Sequence, residues 1–283
     1  MPDPAGVDPK PSRFPWWIEW PALGVIYAAF EGLRDHAAGT RGPAEEHARW
    51  IVDLERWTWT LHEHGVNDFV AHHKSLAQVM DISYGTVHFL VPPLVLIWLW
   101  RRHPLQYRRW LTILAALTVV SLPVFWRFPV APPRLYVGVP AVTGTASCQR
   151  AVATAGARLH FVDTDACFGG LGPLDRGNFK DANPWAAMPS LHVGWSSWSA
   201  AAIIAGFGLD TARRRRWRWL ALLYPAWTFV VVTGTANHWF LDTVGGWGLL
   251  AVVWFGVTRW MEGRHRGKED ARLAPPVVGA RRL

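Results

Sequence analysis

Three short islands in this 283-residue chain carry side chains suited to moving a phosphoryl group. The first sets Arg127 and Arg134 seven positions apart, with a stiff Phe-Pro-Val-Ala-Pro-Pro between them. Guanidinium forks bind phosphate oxygens bidentately and stay charged at any relevant pH. The second is Pro189-Ser190-Leu191-His192 at the start of an apolar run. A helix beginning there offers free amide groups and a positive dipole end to an anion. Ser190 adds a hydroxyl, and His192 is placed to protonate a leaving oxygen. The third pairs His238 with Asp242. On a helix these positions share a face. The carboxylate then fixes one ring nitrogen and leaves the other free to attack. Each island alone has a plainer reading: two interfacial anchors, a capped helix start, a structural His–Asp pair. Their meeting at one boundary is what raises them above it.

That boundary is set by apolar spans. With 51% apolar residues and 20 Trp, the composition is not that of an ordinary soluble domain. Stretches of about 20 apolar residues suit a hydrocarbon core of roughly 30 Å. Six are read near Trp16–Phe30, Tyr84–Trp100, Trp110–Trp126, Ala186–Phe207, Trp217–Thr233 and Trp239–Val257. Glu19 and Pro21 interrupt the first. Trp recurs at the span ends, where an amphipathic ring anchors at headgroup depth. The expected fold is all-α: a polytopic membrane bundle of about six transmembrane helices plus an external interfacial helix. The divisions are a disordered lead over 1–15, a first span and external amphipathic segment over 16–82, a catalytic membrane core over 83–258, and a basic tail over 259–283.

Charge orients the bundle. Arg101, Arg102, Arg108 and Arg109 form one cluster, and Arg213 to Arg216 with Arg218 form another. A third follows the last span, and alternating spans put all three on one side. Glu31 to Asp81 holds nine acids against five bases and falls on the opposite side. By the positive-inside rule both termini are cytoplasmic and the islands face outward, as in a multi-pass protein of a bacterial plasma membrane. The net charge of +8 is thus a topology signal. No basic reading face for nucleic acid accompanies it. The first fifteen residues lack the apolar core of a cleavable signal peptide.

Pro43 to Asn67 reads as the interfacial helix, with Trp50, Ile51, Leu54, Trp57 and Leu61 as its apolar stripe and Glu55 and Glu63 among its polar surface. His62, His64, His72 and His73 lie there as polar-face histidines rather than metal ligands. Cys148 and Cys167 are the chain's two cysteines, both in the external loop after span three, where a disulfide between them is expected. No metal and no cofactor is implied.

In order and spacing the islands resemble the motifs of the phosphatidic acid phosphatase type 2 superfamily, K-x6-R-P, P-S-G-H and S-R-x5-H-x3-D. The resemblance runs from about residue 84 to 257. It implies that His238 is a nucleophile forming a phosphohistidine, that Asp242 orients it, and that His192 is the acid for the leaving group. Arg134 and Ser190, with Arg127 at the family's Lys position, would hold phosphate. Leu135 replaces the family's Pro, and the Ser-Arg pair of the third motif falls on Val231 and Val232. These departures, with the runs around FPVAPPRL, AMPSLHVGW and HWFLDTVGG, resemble the phosphotransferase branch that includes inositol phosphorylceramide synthase.

The implied activity is transfer or hydrolysis of a phospholipid or polyprenyl phosphate headgroup in the bilayer, with a polyol or lipid acceptor in the transferase case. A plain lipid phosphate phosphatase is the alternative. A transporter would spread its polar groups along a path across the membrane instead of gathering them at one face. An inactive scaffold would not need both histidines and the aspartate.

Overall fold

The computed structural model of the chain describes residues 16–36, 40–136, 160–168, 183–208 and 216–273. Helix α1 (Trp16–His36) carries Pro21 within it. Helix α2 (Arg41–Trp57) starts after an extended Thr40 and stops where Trp59 adopts a φ of 58°. Helix α3 (Glu63–Ala71) follows. The interfacial segment expected over Pro43–Asn67 is therefore two helices, broken by that left-handed residue. Its faces also differ from expectation. Ala44, Ala48, Ile51, Val52 and Glu55 are buried, whereas Trp50, Leu54 and Trp57 are exposed. Glu63 is buried as well.

Helix α4 (Lys74–Arg102) and helix α5 (Pro104–Arg127) form a hairpin broken at His103. A residue before proline is disfavoured from helical backbone, and Pro104 is then well suited to start the next helix. Arg101 and Arg102 in the last turn of α4 complement its dipole. A 3₁₀ turn spans Pro133–Leu135, and helix α6 (Thr164–Phe168) is short. Helix α7 (Leu191–Gly208) is followed by a second 3₁₀ turn, Arg218–Leu222, then helix α8 (Leu223–Gly234) and helix α9 (Phe240–Leu273). The described residues are all helical apart from turns and one isolated bridge, Val130 to Ala186. Among them, α4, α5 and α9 over Phe240–Arg264 are long and apolar enough to cross a membrane. The remaining expected spans fall on α1, α7 and α8 with its preceding turn.

Helix α7 packs against α4, α5, α8 and α9. One core joins Leu99, Tyr107, Trp110, Ile113, Trp198 and Leu250, with the Trp198 indole donating to the Trp110 carbonyl at 3.0 Å. A second core, from Ala44, Ile51, Val130, Phe161, Ala187 and Trp239, lies where the islands arrive. The starts of α7 and α9 touch backbone to backbone. Ser190 N–H donates to the Asp242 carbonyl at 2.9 Å, and a Cβ at Gly246 would run into the Ser190 carbonyl. Asn67 ties α3 to both neighbouring segments. Its amide donates to the carbonyls of Val162 and Gly234, and its Oδ1 accepts the Val162 N–H.

Candidate active site

Backbone hydrogen bonds fasten the three islands together. Val130 N–H donates to Trp185 C=O at 2.7 Å, and Arg134 N–H to Ala236 C=O at 3.0 Å. The Trp239 indole donates to Ala131 C=O at 2.8 Å. With the Ser190–Asp242 bond, each island is joined to another through main-chain atoms that no side-chain motif encodes.

His238 precedes helix α9 rather than riding on it. Helix α8 ends at Gly234, and Ala236 then takes a φ of 56°, the left-handed region that favours glycine. The Val232 carbonyl accepts from both Asn237 and His238 N–H. This turn sets the imidazole over the first turn of α9. His238 Nδ1 lies 3.5 Å from Asp242 Oδ2, at the long edge of hydrogen bonding, and Oδ2 also accepts the Trp239 N–H at 2.9 Å. Both side chains are buried, and neither His238 ring nitrogen nor Asp242 Oδ1 has a hydrogen-bond partner among the described residues. The two side chains expected to pair are therefore adjacent without a direct hydrogen bond, and a turn, not one helix face, brings them together.

His192, in the first turn of α7, has its ring centroid 5.6 Å from that of His238. Its Nε2 is also buried without a protein partner. Tyr84 stacks on it at 4.1 Å, and His88 lies 4.0 Å away. His88 Nδ1 lies 2.8 Å from the Tyr84 carbonyl; that bond requires the proton on Nδ1. Tyr84, His88, His192, Val231 and Val232 are among the residues lining a cavity of about 10 Å³, room for roughly one water.

Arg134 approaches from the first 3₁₀ turn. Its Nε donates to Asn237 Oδ1 at 2.9 Å, and its Nη1 lies 3.3 Å from Asp163 Oδ2. The guanidinium is held beside the residue that precedes His238. Two buried imidazoles with free nitrogens, a paired carboxylate and an oriented guanidinium can support nucleophilic attack, proton transfer and anion binding.

Residues 49–256 match the PAP2 superfamily. The chain belongs to that superfamily. PAP2 members are phosphatases and phosphotransferases, and this member has, among its described residues, three helices of membrane-crossing length. No curated protein and no solved structure matches the chain.

The remaining expected residues of this PAP2 chain are placed less simply. Ser190 is fully buried at the start of α7, where its Oγ lies 3.5 Å from the Val193 N–H, a long capping contact. Arg127 ends α5 exposed. Among the described residues no hydrogen bond or ion pair joins it to Arg134, His192 or His238. Cys167 is buried beside Ala71 and Val162 and is disulfide-bonded. Cys148 lies outside the described residues, as does most of the external loop. Among the described residues no group of three or more His, Cys, Asp or Glu is placed to hold a metal.

Sequence reasoning missed His88, Asn237, Asp163, Asn67 and the buried pair Glu55 and Glu63. Glu55 Oε1 accepts the Leu241 N–H at 2.8 Å, and Glu63 Oε1 accepts the Phe240 N–H at 2.5 Å. The one available signal was Glu55 itself, which falls seven residues after Ala48 and four after Ile51, in register with the buried face of α2.

Proposed function

We propose that this PAP2 protein transfers a phosphoryl or phospho-headgroup from a phospholipid or polyprenyl phosphate through a phosphohistidine. The observation that carries the reading is the opposition of His238 and His192, both buried, 5.6 Å apart between ring centroids, each with an unpartnered Nε2. His238 Nε2 attacks phosphorus as the bond from phosphorus to the leaving oxygen breaks. His192 gives that oxygen its proton. An acceptor hydroxyl then attacks the phosphohistidine, its proton returns to His192, and the P–N bond breaks. Asp242 holds the His238 tautomer and stabilises the imidazolium. Arg134, with Ser190 and Arg127, neutralises the equatorial oxygens, where most of the rate enhancement of phosphoryl transfer arises.

In this reading six spans cross the membrane, both termini are cytoplasmic and the site opens to the outer face. Cys148 pairs with Cys167. Val231 and Val232 form an apolar wall of the cavity where the superfamily motif carries Ser-Arg. A site with that cation missing suits a singly charged phosphodiester better than a doubly charged monoester. This favours a transferase of the inositol phosphorylceramide synthase-like branch over a phosphatase.

Purified protein incubated with phosphorus-labelled phospholipids and polyprenyl phosphates, with and without glycerol, inositol or a lipid alcohol, tests the proposal. Label should appear transiently on a peptide containing His238 through an acid-labile bond, then in a new lipid. Release as inorganic phosphate alone would make the protein a phosphatase. Label trapped on a residue other than His238 would overturn the mechanism.

A further inference from the structure

The helix that follows the nucleophile begins in a grip of carboxylates. The first amide groups of an α-helix have no intrahelical partner. At the start of α9 the amides of Phe240 and Leu241, with that of Trp239 just before it, donate to Glu63 Oε1, Glu55 Oε1 and Asp242 Oδ2. Glu63 and Glu55 reach α9 from 177 and 186 residues away in sequence. Glu55 is fully buried, and Glu63 is 3% exposed. The Oε2 atom of each is buried with no hydrogen-bond partner among the described residues, and the two Oε1 atoms hold consecutive amides of the same turn, which brings the carboxyl groups together.

Two carboxylates at such proximity cannot both be ionised without a large penalty. A single proton between the Oε2 atoms satisfies both. Glu55, as the acid, donates to Glu63, and its carbonyl-type Oε1 still accepts from Leu241. Glu63 Oε2 accepts that hydrogen bond while its Oε1 accepts the Phe240 amide.

We propose that Glu55 and Glu63 are positioning residues for the nucleophile: a proton-sharing carboxyl–carboxylate clamp that fixes the first turn of α9 and so the approach of Asp242 to His238. The proposal rests on the reading of His238 as nucleophile. The clamp holds two backbone amides of the segment that links His238 to Asp242 and does not touch the reacting atoms.

Burial, and then the neighbouring Glu63, push the Glu55 carboxyl up to about 9. The Leu241 amide opposes this and Asp242 adds to it. The titratable groups nearest the pair are Asp242 and, beyond it, His238, while Asp53 and Arg56 on α2 are exposed. A carboxyl raised above its ordinary value contributes stability that is fully present below about 4.5, declines as pH rises, and is gone above about 9. Loss of the shared proton near pH 9 leaves two adjacent carboxylates beside Asp242 and loosens the turn that carries it.

The experiment joins infrared difference spectroscopy with pH profiles of turnover in detergent-solubilised full-length protein. Wild type should show a protonated-carboxyl band that vanishes as pH rises through about 9, together with a fall in kcat over the same interval. In Glu55→Gln the amide reproduces both bonds without a titrating proton, so the band and the alkaline fall should both disappear. Glu55→Leu should lower kcat by about 10²-fold with little change in KM, as expected for a displacement of order 1 Å. Glu55→Gln should recover at least about tenfold of that loss, because it keeps the bond to Leu241. No carboxyl band in wild type, or an alkaline fall unchanged in Glu55→Gln, would overturn the clamp. The spectroscopic arm needs no substrate. A titrating band in a protein that turns over no lipid phosphate would sink the functional proposal and leave the clamp standing.

Discussion

In the half of the bundle away from the islands, Leu99, Tyr107, Trp110, Ile113, Trp198 and Leu250 pack by shape, with one indole-to-carbonyl bond among them. In the other half, Glu55, Glu63, Asn67, Thr164, Asn237 and Asp242 are equally buried, but they are held by directed hydrogen bonds, with His238 buried among them. Dispersion contacts are many and individually weak, so a lost methylene is shared among neighbours. A buried hydrogen bond has one partner, and breaking it strands a polar atom at its full desolvation penalty. The first half should therefore tolerate substitution gradually, and the second should fail at single positions. The same difference suits their tasks. Apolar packing holds helices together, whereas catalysis needs atoms fixed to fractions of an ångström.

The largest break in that contrast should come at the His238–Asp242 pair. His238→Ala should abolish turnover. Asp242→Asn should reduce kcat by about 10⁴-fold through the wrong tautomer, by analogy with a catalytic triad, while circular dichroism stays helical. Activity in either variant near that of wild type would remove the pair from the mechanism.

Next comes Asn67, which has no part in the chemistry but joins α3 to residues 162 and 234 with three hydrogen bonds. Asn67→Leu keeps the approximate volume and strands two carbonyls and an amide, so thermal unfolding in detergent should report a loss of about 3 kcal/mol. Turnover should fall with it, since Gly234 opens the turn that carries His238. A stability change under about 0.5 kcal/mol, typical of a surface site, would mean that the polar half is not held as described.

The smallest effect is expected in the apolar half. Ile113→Val removes one buried methylene and should cost about 1 kcal/mol, with kcat unchanged. A loss of activity larger than the loss of stability would show that the two halves are coupled and that the comparison is too simple.

Much of the candidate site was legible beforehand because the chemistry it suggests depends on residue identity at short spacing. His238 and Asp242 are four positions apart, and Ser190 and His192 two. Arg134 was legible as a cation near a span end. Its partners Asn237 and Asp163 were not, because their roles depend on a fold that brings residue 134 to residue 237. The helical pattern of α2 was also legible, but not which side faces inward. Trp50, Leu54 and Trp57 look like core and are exposed, whereas Glu55 looks like surface and is buried. In a protein whose surroundings include lipid, apolarity no longer distinguishes inside from outside.

The sequence by itself determined the helical class, the apolar runs, the break at His103–Pro104 and the reactive side chains, since all follow from local composition and the stereochemistry of neighbouring residues. Only the tertiary structure decided that a left-handed turn at Ala236, rather than one continuous helix, presents His238 to Asp242. It alone decided that His88 joins His192, and that two glutamates from the segment before α4 close over the first amides of α9. Those arrangements depend on contacts between residues up to 186 positions apart, and a contact of that span is decided by how whole helices pack, which no local pattern encodes.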